Sequence, residues 1–263
     1  MTAPEIRRAP QRHRVRQVGI AQPLRWLALG WADLLRCPLP GLLHGLAVAA
    51  FGAVLMALAR DRFWLLAGAF SGFLLVAPVL ATGLYAVSRT MQQGQPASLA
   101  TALAIWRPHD GRLVLFGVLL ALAGTGWVLT SASLITRFAD APIHNPQDFL
   151  RVVVLSGQSN VFELWLLLGS LLAAPIFAST VVTVPLLMDS HIGVRAAVLV
   201  GVRAVLLNPL PMALWATLIL VITLLGMVTL LLGLVVAVPW LAHASWHAYC
   251  DLVEPAPDGE GQG

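Results

Sequence analysis

The chain is 263 residues long, 59% hydrophobic and 11% charged, with a net charge of +4 and a mean hydropathy of +0.83. Soluble domains carry about 25% charged residues, so this composition excludes an ordinary water-soluble domain and points to the lipid bilayer. All sixteen basic residues are arginine. They flank apolar stretches instead of forming a nucleic-acid patch, so their reading is orientation and contact with anionic headgroups, with no nucleic acid as partner.

In chain order, residues 1–17 read as a disordered basic tail, 18–252 as one transmembrane domain, and 253–263 as a disordered acidic tail. Pro23 opens a predicted amphipathic helix. Leu24, Leu27, Trp31, Leu34 and Leu35 share its apolar face, and Arg25, Asp33 and Arg36 are polar. Such a helix lies in the interface plane and breaks at Cys37-Pro38, because a residue before proline is biased out of helix. A hairpin follows, with arms at about 40–59 and 63–88. A spanning helix needs roughly 20 apolar residues, and 63–87, 113–136 and 164–188 each run without a charge.

The second unit opens at Pro96, sets Leu99, Leu103 and Trp106 at helical spacing, and breaks at Arg107-Pro108. Its arms span about 112–136 and 163–188, around a long loop, 137–160, holding Arg137, Asp140, Asp148 and Arg151. The third unit has an amphipathic stretch at 192–207, a break at Asn208-Pro209, and arms at about 210–225 and 228–250. Residues 204–250 lack Arg, Lys, Asp and Glu. At 1.5 Å per residue they would make a helix of about 70 Å, more than twice the hydrocarbon thickness, and therefore two spans. Gly226 is the expected turn; one span plus a re-entrant segment is the other possibility for 204–250.

The fold class that results is all-α: a membrane bundle of six transmembrane helices from three repeated units, each an interfacial helix plus a hairpin. The repeat is visible in VAPVLAT (76–82), AAPIFAS (173–179) and AVPWLAH (237–243). Gly30, Leu35, Pro38, Leu39 and Pro40 also recur as Gly201, Leu206, Pro209, Leu210 and Pro211. With the N-terminus inside, twelve arginines fall on inner segments and Arg60, Arg62, Arg137 and Arg151 on outer ones. That bias predicts that both termini are cytoplasmic.

Aligned on the second prolines, Thr82, Ser179 and His243 occupy one position, and Thr183 and His247 lie four residues further on in their units. They are the polar intramembrane candidates, since polar groups inside a membrane are functional candidates by default. His44 lies at a similar depth, so His44, His243 and His247 could ligate a metal or haem. The opposing reading places the last two histidines in an interfacial aromatic belt with Trp240, Trp246 and Tyr249. Ser and Thr in spans usually bond their own backbone. The small-residue stretches 67–72 and 124–133 read as close helix packing. Trp106, Arg107, His109 and Arg112 could contact a lipid phosphate or a partner, or simply cap a helix. No GxxxxGK[ST], HExxH, CxxC or GxSxG motif is present, so no enzyme is expected. Cys37 and Cys250 form no motif or disulfide framework.

The stretches GWADLLRCPLPGLLHGL, FWLLAGAFSGFLLVAPVLATGLYAVSR, WRPHDGRLVLFG and VPWLAHASWHAY resemble the bacterial integral membrane proteins of domain of unknown function 2189. The resemblance implies a six-helix inner-membrane protein of Gram-negative bacteria and brings no established activity or catalytic residues. The expectation is a non-enzymatic membrane protein acting through lipids, other membrane proteins or copies of itself. The alternatives are a small-solute transporter or channel lined by Thr82, Ser179, Thr183 and His243, and a respiratory accessory protein holding haem or metal.

Overall fold

The computed structural model describes residues 13–59, 81–104, 111–139, 141–155 and 160–255. They are overwhelmingly helical. Helix α1 (Gln22–Arg36) carries Pro23 in its first turn and ends at Cys37. Helix α2 (Pro38–Ala59) starts at the next residue, so Pro38 breaks the chain and then opens a helix, where its missing N–H is no loss. Helices α3 (Thr82–Gln92) and α4 (Leu99–Ala104) follow, then α5 (Gly111–Phe138). Helix α6 (Val161–Thr180) continues through Pro175, and α7 (Thr183–Asp189) resumes after a two-residue turn. Helices α8 (Val194–Leu207), α9 (Pro209–Val228) and α10 (Leu234–Leu252) complete the set.

Among the described residues four helical segments are long and apolar enough to cross a membrane: Pro38–Ala57, Gly111–Phe138, Val161–Asp189 and Pro209–Val228. They correspond to the expected spans at 40–59, 112–136, 163–188 and 210–225. Most of the span expected at 63–88 lies outside the described residues. The span expected at 228–250 differs from what is found. Residues 229–233 form the turn, with Leu230 and Leu231 at φ 54° and 69°, and α10 begins at Leu234. Its C-terminal half carries His243, Ser245, His247 and Tyr249, which keeps α10 out of the four. Gly226 is therefore not the turn. It is buried near the end of α9, where a Cβ would lie 2.8 Å from a Leu234 methyl.

Three other expectations change. Residues 13–15 and 253–255, assigned to disordered tails, pair as a two-stranded antiparallel sheet, β1 (His13–Val15) with β2 (Val253–Pro255). Arg16 reinforces the pair with a 2.6 Å contact to Glu254. The long loop contains a helical turn, Pro146–Asp148, running into a π-helix, Phe149–Val154. In α1 the buried stripe is Pro23, Trp26, Leu27, Gly30, Asp33 and Leu34, at i, i+3, i+4, i+7 spacing. Leu24, Trp31 and Leu35 are left exposed.

Helix α10 is the hub. It packs against α1 on one side and α2 on another, and glycines set both distances. A Cβ on Gly30 would lie 2.5 Å from the Ala244 amide nitrogen, and one on Gly45 would overlap the Val235 carbonyl. Buried positions in α2 fall at Pro40, Gly41, Gly45, Val48, Ala49 and Gly52, and the glycines and alanine among them permit close backbone approach. In the stretch 124–133, Gly124 and Ser131 are buried and Ser131 accepts from the Trp165 indole of α6, whereas Gly126 has nothing within 4 Å. Thr125 and Thr130 there bond their own helix at Ala121 and Gly126. The main core gathers Trp26, Trp215, Leu84, Leu186 and Trp246, with Trp26 and Trp215 edge to face at 5.6 Å. Large apolar side chains such as Leu122, Leu129, Leu171 and Leu225 remain exposed on the long helices, the distribution expected of surfaces that meet hydrocarbon.

Candidate functional site

Three helices bring a chain of polar side chains together inside the bundle. Asp33 comes from α1, Ser88 and Gln92 from α3, and His243 and His247 from α10. Asp33 is 4% exposed, Ser88 and His243 0%. Asp33 Oδ2 accepts from the Ser88 hydroxyl at 2.7 Å and meets His247 Nε2 at 2.8 Å. Ser88 Oγ also lies 2.8 Å from His243 Nδ1, and Gln92 Nε2 lies 3.2 Å from His247 Nδ1. Gln92 Oε1 accepts from the Trp246 indole at 2.8 Å.

These contacts assign the protons. An indole only donates, which fixes the Gln92 amide with its NH2 toward His247 Nδ1. His247 is then protonated on Nε2, the nitrogen facing the carboxylate. Ser88 has one proton and gives it to Asp33, so it accepts from His243 Nδ1. That leaves the lone pair on His243 Nε2, a buried atom with no hydrogen-bond partner among the described residues. It faces α2: a Cβ on Gly41 would lie 3.7 Å from it. Burial raises the Asp33 pKa, but the bonds from His247 and Ser88 outweigh it and hold the carboxyl below its ordinary value of 3.8.

Around this chain the C-terminal end of α10 is tied on several sides. Asp251 accepts from Gln22 at 2.5 Å and from the Trp26 indole at 2.8 Å. Arg16 donates to the Asp251 and Cys250 carbonyls, a C-terminal cap of the kind expected from a cation at that end. Asp189 pairs with Arg89 at 3.0 Å and accepts from the Tyr249 hydroxyl at 2.9 Å.

The candidates read from the sequence separate into groups. His243 and His247 enter the Asp33 chain. Thr82 is buried at the start of α3. Ser179 donates to the Ile176 carbonyl and Thr183 to that of Ala197. His44 sits part-buried on α2, one turn from Gly41. Both nitrogens of His247 are engaged, and among the described residues no three His, Cys, Asp or Glu side chains are placed to hold a metal ion. Trp106, Arg107 and His109 lie outside the described residues, whereas Arg112 donates to the carbonyls of Leu187 and Ile192, capping α7. Trp246 and Tyr249 turn inward as buried hydrogen-bond donors instead of forming a lipid-facing belt. Asp33, Ser88 and Gln92 are not among the candidates that the sequence suggests. The available signal is the stripe Trp26, Gly30, Asp33, in which an acid follows a glycine on one helix face.

One comparison with known proteins bears on identity. Residues 65–189 match the family model of DUF2189, a predicted integral membrane protein. The resemblance read from the sequence holds over that segment. It includes Ser88 and Gln92 but not Asp33, His243 or His247, so the polar chain joins the matched DUF2189 segment to the helices on either side of it. No curated protein and no solved structure matches the chain. The family description and the four apolar helices agree on an integral membrane protein.

Proposed function

We propose that this chain is a non-enzymatic, six-span protein of the bacterial inner membrane that acts through lipids or membrane partners. The observation that carries the reading is that the carboxylate, hydroxyl and amide of its polar centre are bonded internally. Asp33, Ser88, His247 and Gln92 bond one another, and Ser88, the only hydroxyl among them, is fully buried. A nucleophile needs access to substrate and an activating base. Ser88 lacks that access and gives its proton to a carboxylate. The arrangement pins three helices together instead of doing chemistry.

Two observations support six spans in three units. Pairing of β1 with β2 holds the two ends of the described domain together, which supports an even number of crossings. Each amphipathic helix also seats against the second arm of another unit through a small-residue contact: Gly30 on Ala244, Ala102 on Gly83, and Gly201 on Ala178 and Thr183. With the arginine bias, the side where those two ends meet is cytoplasmic. A reporter fused after residue 263 and active only in the cytoplasm is expected to be active; activity restricted to a periplasmic reporter would refute the even count.

Among the described residues His243 Nε2 has no partner, and His44 lies within electrostatic range of the same ring; both favour the haem or metal alternative, because a neutral imidazole with its other nitrogen bonded is the usual ligand form. Among the described residues no third ligand joins them, and His247 is engaged at both nitrogens. The purified protein is expected to be colourless and free of stoichiometric metal. A haem absorption band, or a bound metal lost in His243→Ala, would overturn the cofactor-free reading.

A further inference from the structure

The described residues form an open cavity of about 540 Å³ lined mainly by α6, with Tyr85 of α3, Trp127 of α5, Ile219 of α9 and Ser245 of α10. We infer that this cavity is a binding site for one hydrocarbon chain of a bilayer phospholipid. The inference rests on the membrane reading above and adds a specific occupant.

Its size falls in the range of ligand sites, about 300–1,000 Å³. Its long wall belongs to Val161–Asp189 and is faced by Trp127 of Gly111–Phe138, two of the segments apolar enough to cross a membrane. Leu166 and Leu172, at its rim, are exposed, so the medium outside the opening is lipid. Trp127 and Trp165 form one wall with ring centroids 5.8 Å apart. Gly169 makes room for them: a Cβ there would lie 3.1 Å from the Trp127 ring.

The polar groups on the walls decide the chemistry. Ser170 donates to the Leu166 carbonyl, Thr180 to that of Ile176, and Ser245 to that of Leu241. The Trp165 indole donates to Ser131 at 2.6 Å. Each of these four groups turns its proton back into the protein, and the Tyr85 hydroxyl is paired with Ser245. A ligand with carbonyl or carboxylate oxygens would leave hydrated acceptors unpaired among them, which is unfavourable. A hydrocarbon chain has no such group to satisfy. Aromatic walls, apolar rims and hydroxyls that offer no proton therefore fit an acyl chain better than a quinone or a polar solute.

The test uses the full chain in proteoliposomes containing a trace of phosphatidylethanolamine with a diazirine in one acyl chain, followed by irradiation and mapping of adducts. Saturable labelling is expected on Trp127 and on the Gly169–Ile176 face of α6. It should be competed by unlabelled phospholipid and not by a quinone. The saturable component is expected to disappear in Ala173→Phe, an exposed lining position, and to persist in Leu167→Phe, an exposed position on the same helix that does not line the cavity. Labelling that does not saturate and spreads evenly over α2, α5, α6 and α9 would reduce the site to ordinary surrounding lipid and overturn the assignment, as would displacement by the quinone. Should Ala173→Phe fail to fold, the competition on the unmodified chain decides alone. A null labelling result with a cytoplasmic C-terminal reporter would reject this site and leave the six-span reading standing; a periplasmic reporter would reject that reading whatever the labelling.

Discussion

Asp33→Ala is expected to lower the unfolding temperature of the detergent-solubilised protein by on the order of 10 °C. The carboxylate is the shared acceptor for Ser88 and His247, and all three groups are buried. Its removal leaves two buried donors unpaired, at about 1–3 kcal/mol each. Breaking a buried ion-type contact from one side costs about 3–5 kcal/mol. A domain of this size shifts by about 2–4 °C per kcal/mol. Asp33→Asn is expected to lose less, because one carbonyl oxygen remains to accept from Ser88 or His247. Glu254→Ala is the contrast. Its partner Arg16 and the glutamate itself are 40% and 46% exposed, so the loss is expected within about 1 kcal/mol. Thermal unfolding followed by circular dichroism separates the three, and an Asp33→Ala protein that melts with Glu254→Ala would mean that Asp33 holds nothing together.

The same residue sets a pH signature. Burial raises the Asp33 pKa, the His247 and Ser88 bonds lower it more, and the folded value lies below 3.8. For a carboxyl depressed on folding, the unfolded state binds the proton more readily. The stabilisation is therefore complete above the unfolded value and is lost as the pH falls through the folded one. Between pH 7 and 5 the melting temperatures of the unmodified chain and Asp33→Asn are expected to run in parallel. The gap should close only in strong acid. A gap that closes between pH 7 and 5 would mean that a different group carries the dependence.

What the sequence disclosed is what depends on local chain. Charge-free runs located four apolar helices, and Pro38 and Pro209 marked the breaks where α1 and α8 give way to α2 and α9. The polar chain was illegible because its bonds join residues 55, 155 and 214 positions apart. No periodicity reports that Ser88 and His243 belong to the same chain as a carboxylate on α1. The burial of Asp33 was hidden for a related reason. An apolar stripe of Leu24, Leu27, Trp31, Leu34 and Leu35 is real, but part of it faces away from the protein, and burial went to the face with Gly30. In water the more apolar face turns inward; beside lipid, close packing of small residues decides instead. The strands at the two ends escape a sequence reading because neither is long enough to be recognised without the other.

Gly45→Ala is expected to destabilise the protein by about 1–3 kcal/mol, the usual cost of overfilling a packed contact. In an exposed helix the same change would be favourable by up to about 1 kcal/mol, since alanine has the higher helix propensity. Geometry decides between the two. A Cβ on Gly45 overlaps the backbone of Val235, with the carbonyl oxygen, carbonyl carbon and Cα all in the way. Backbone cannot rotate aside as a side chain can, so α2 and α10 must separate. Val235 lies two turns from His243 on α10, and the displacement would also move the ring whose Nδ1 meets Ser88. Gly126→Ala supplies the matched control, because Gly126 sits within α5 and no atom lies within 4 Å of where the alanine methyl would be. That variant is expected to melt at or slightly above the unmodified chain, and Gly45→Ala clearly below it. Equal melting temperatures for the two would show that α2 and α10 are not in backbone contact, and the placement of His243 against Gly41 would fall with it.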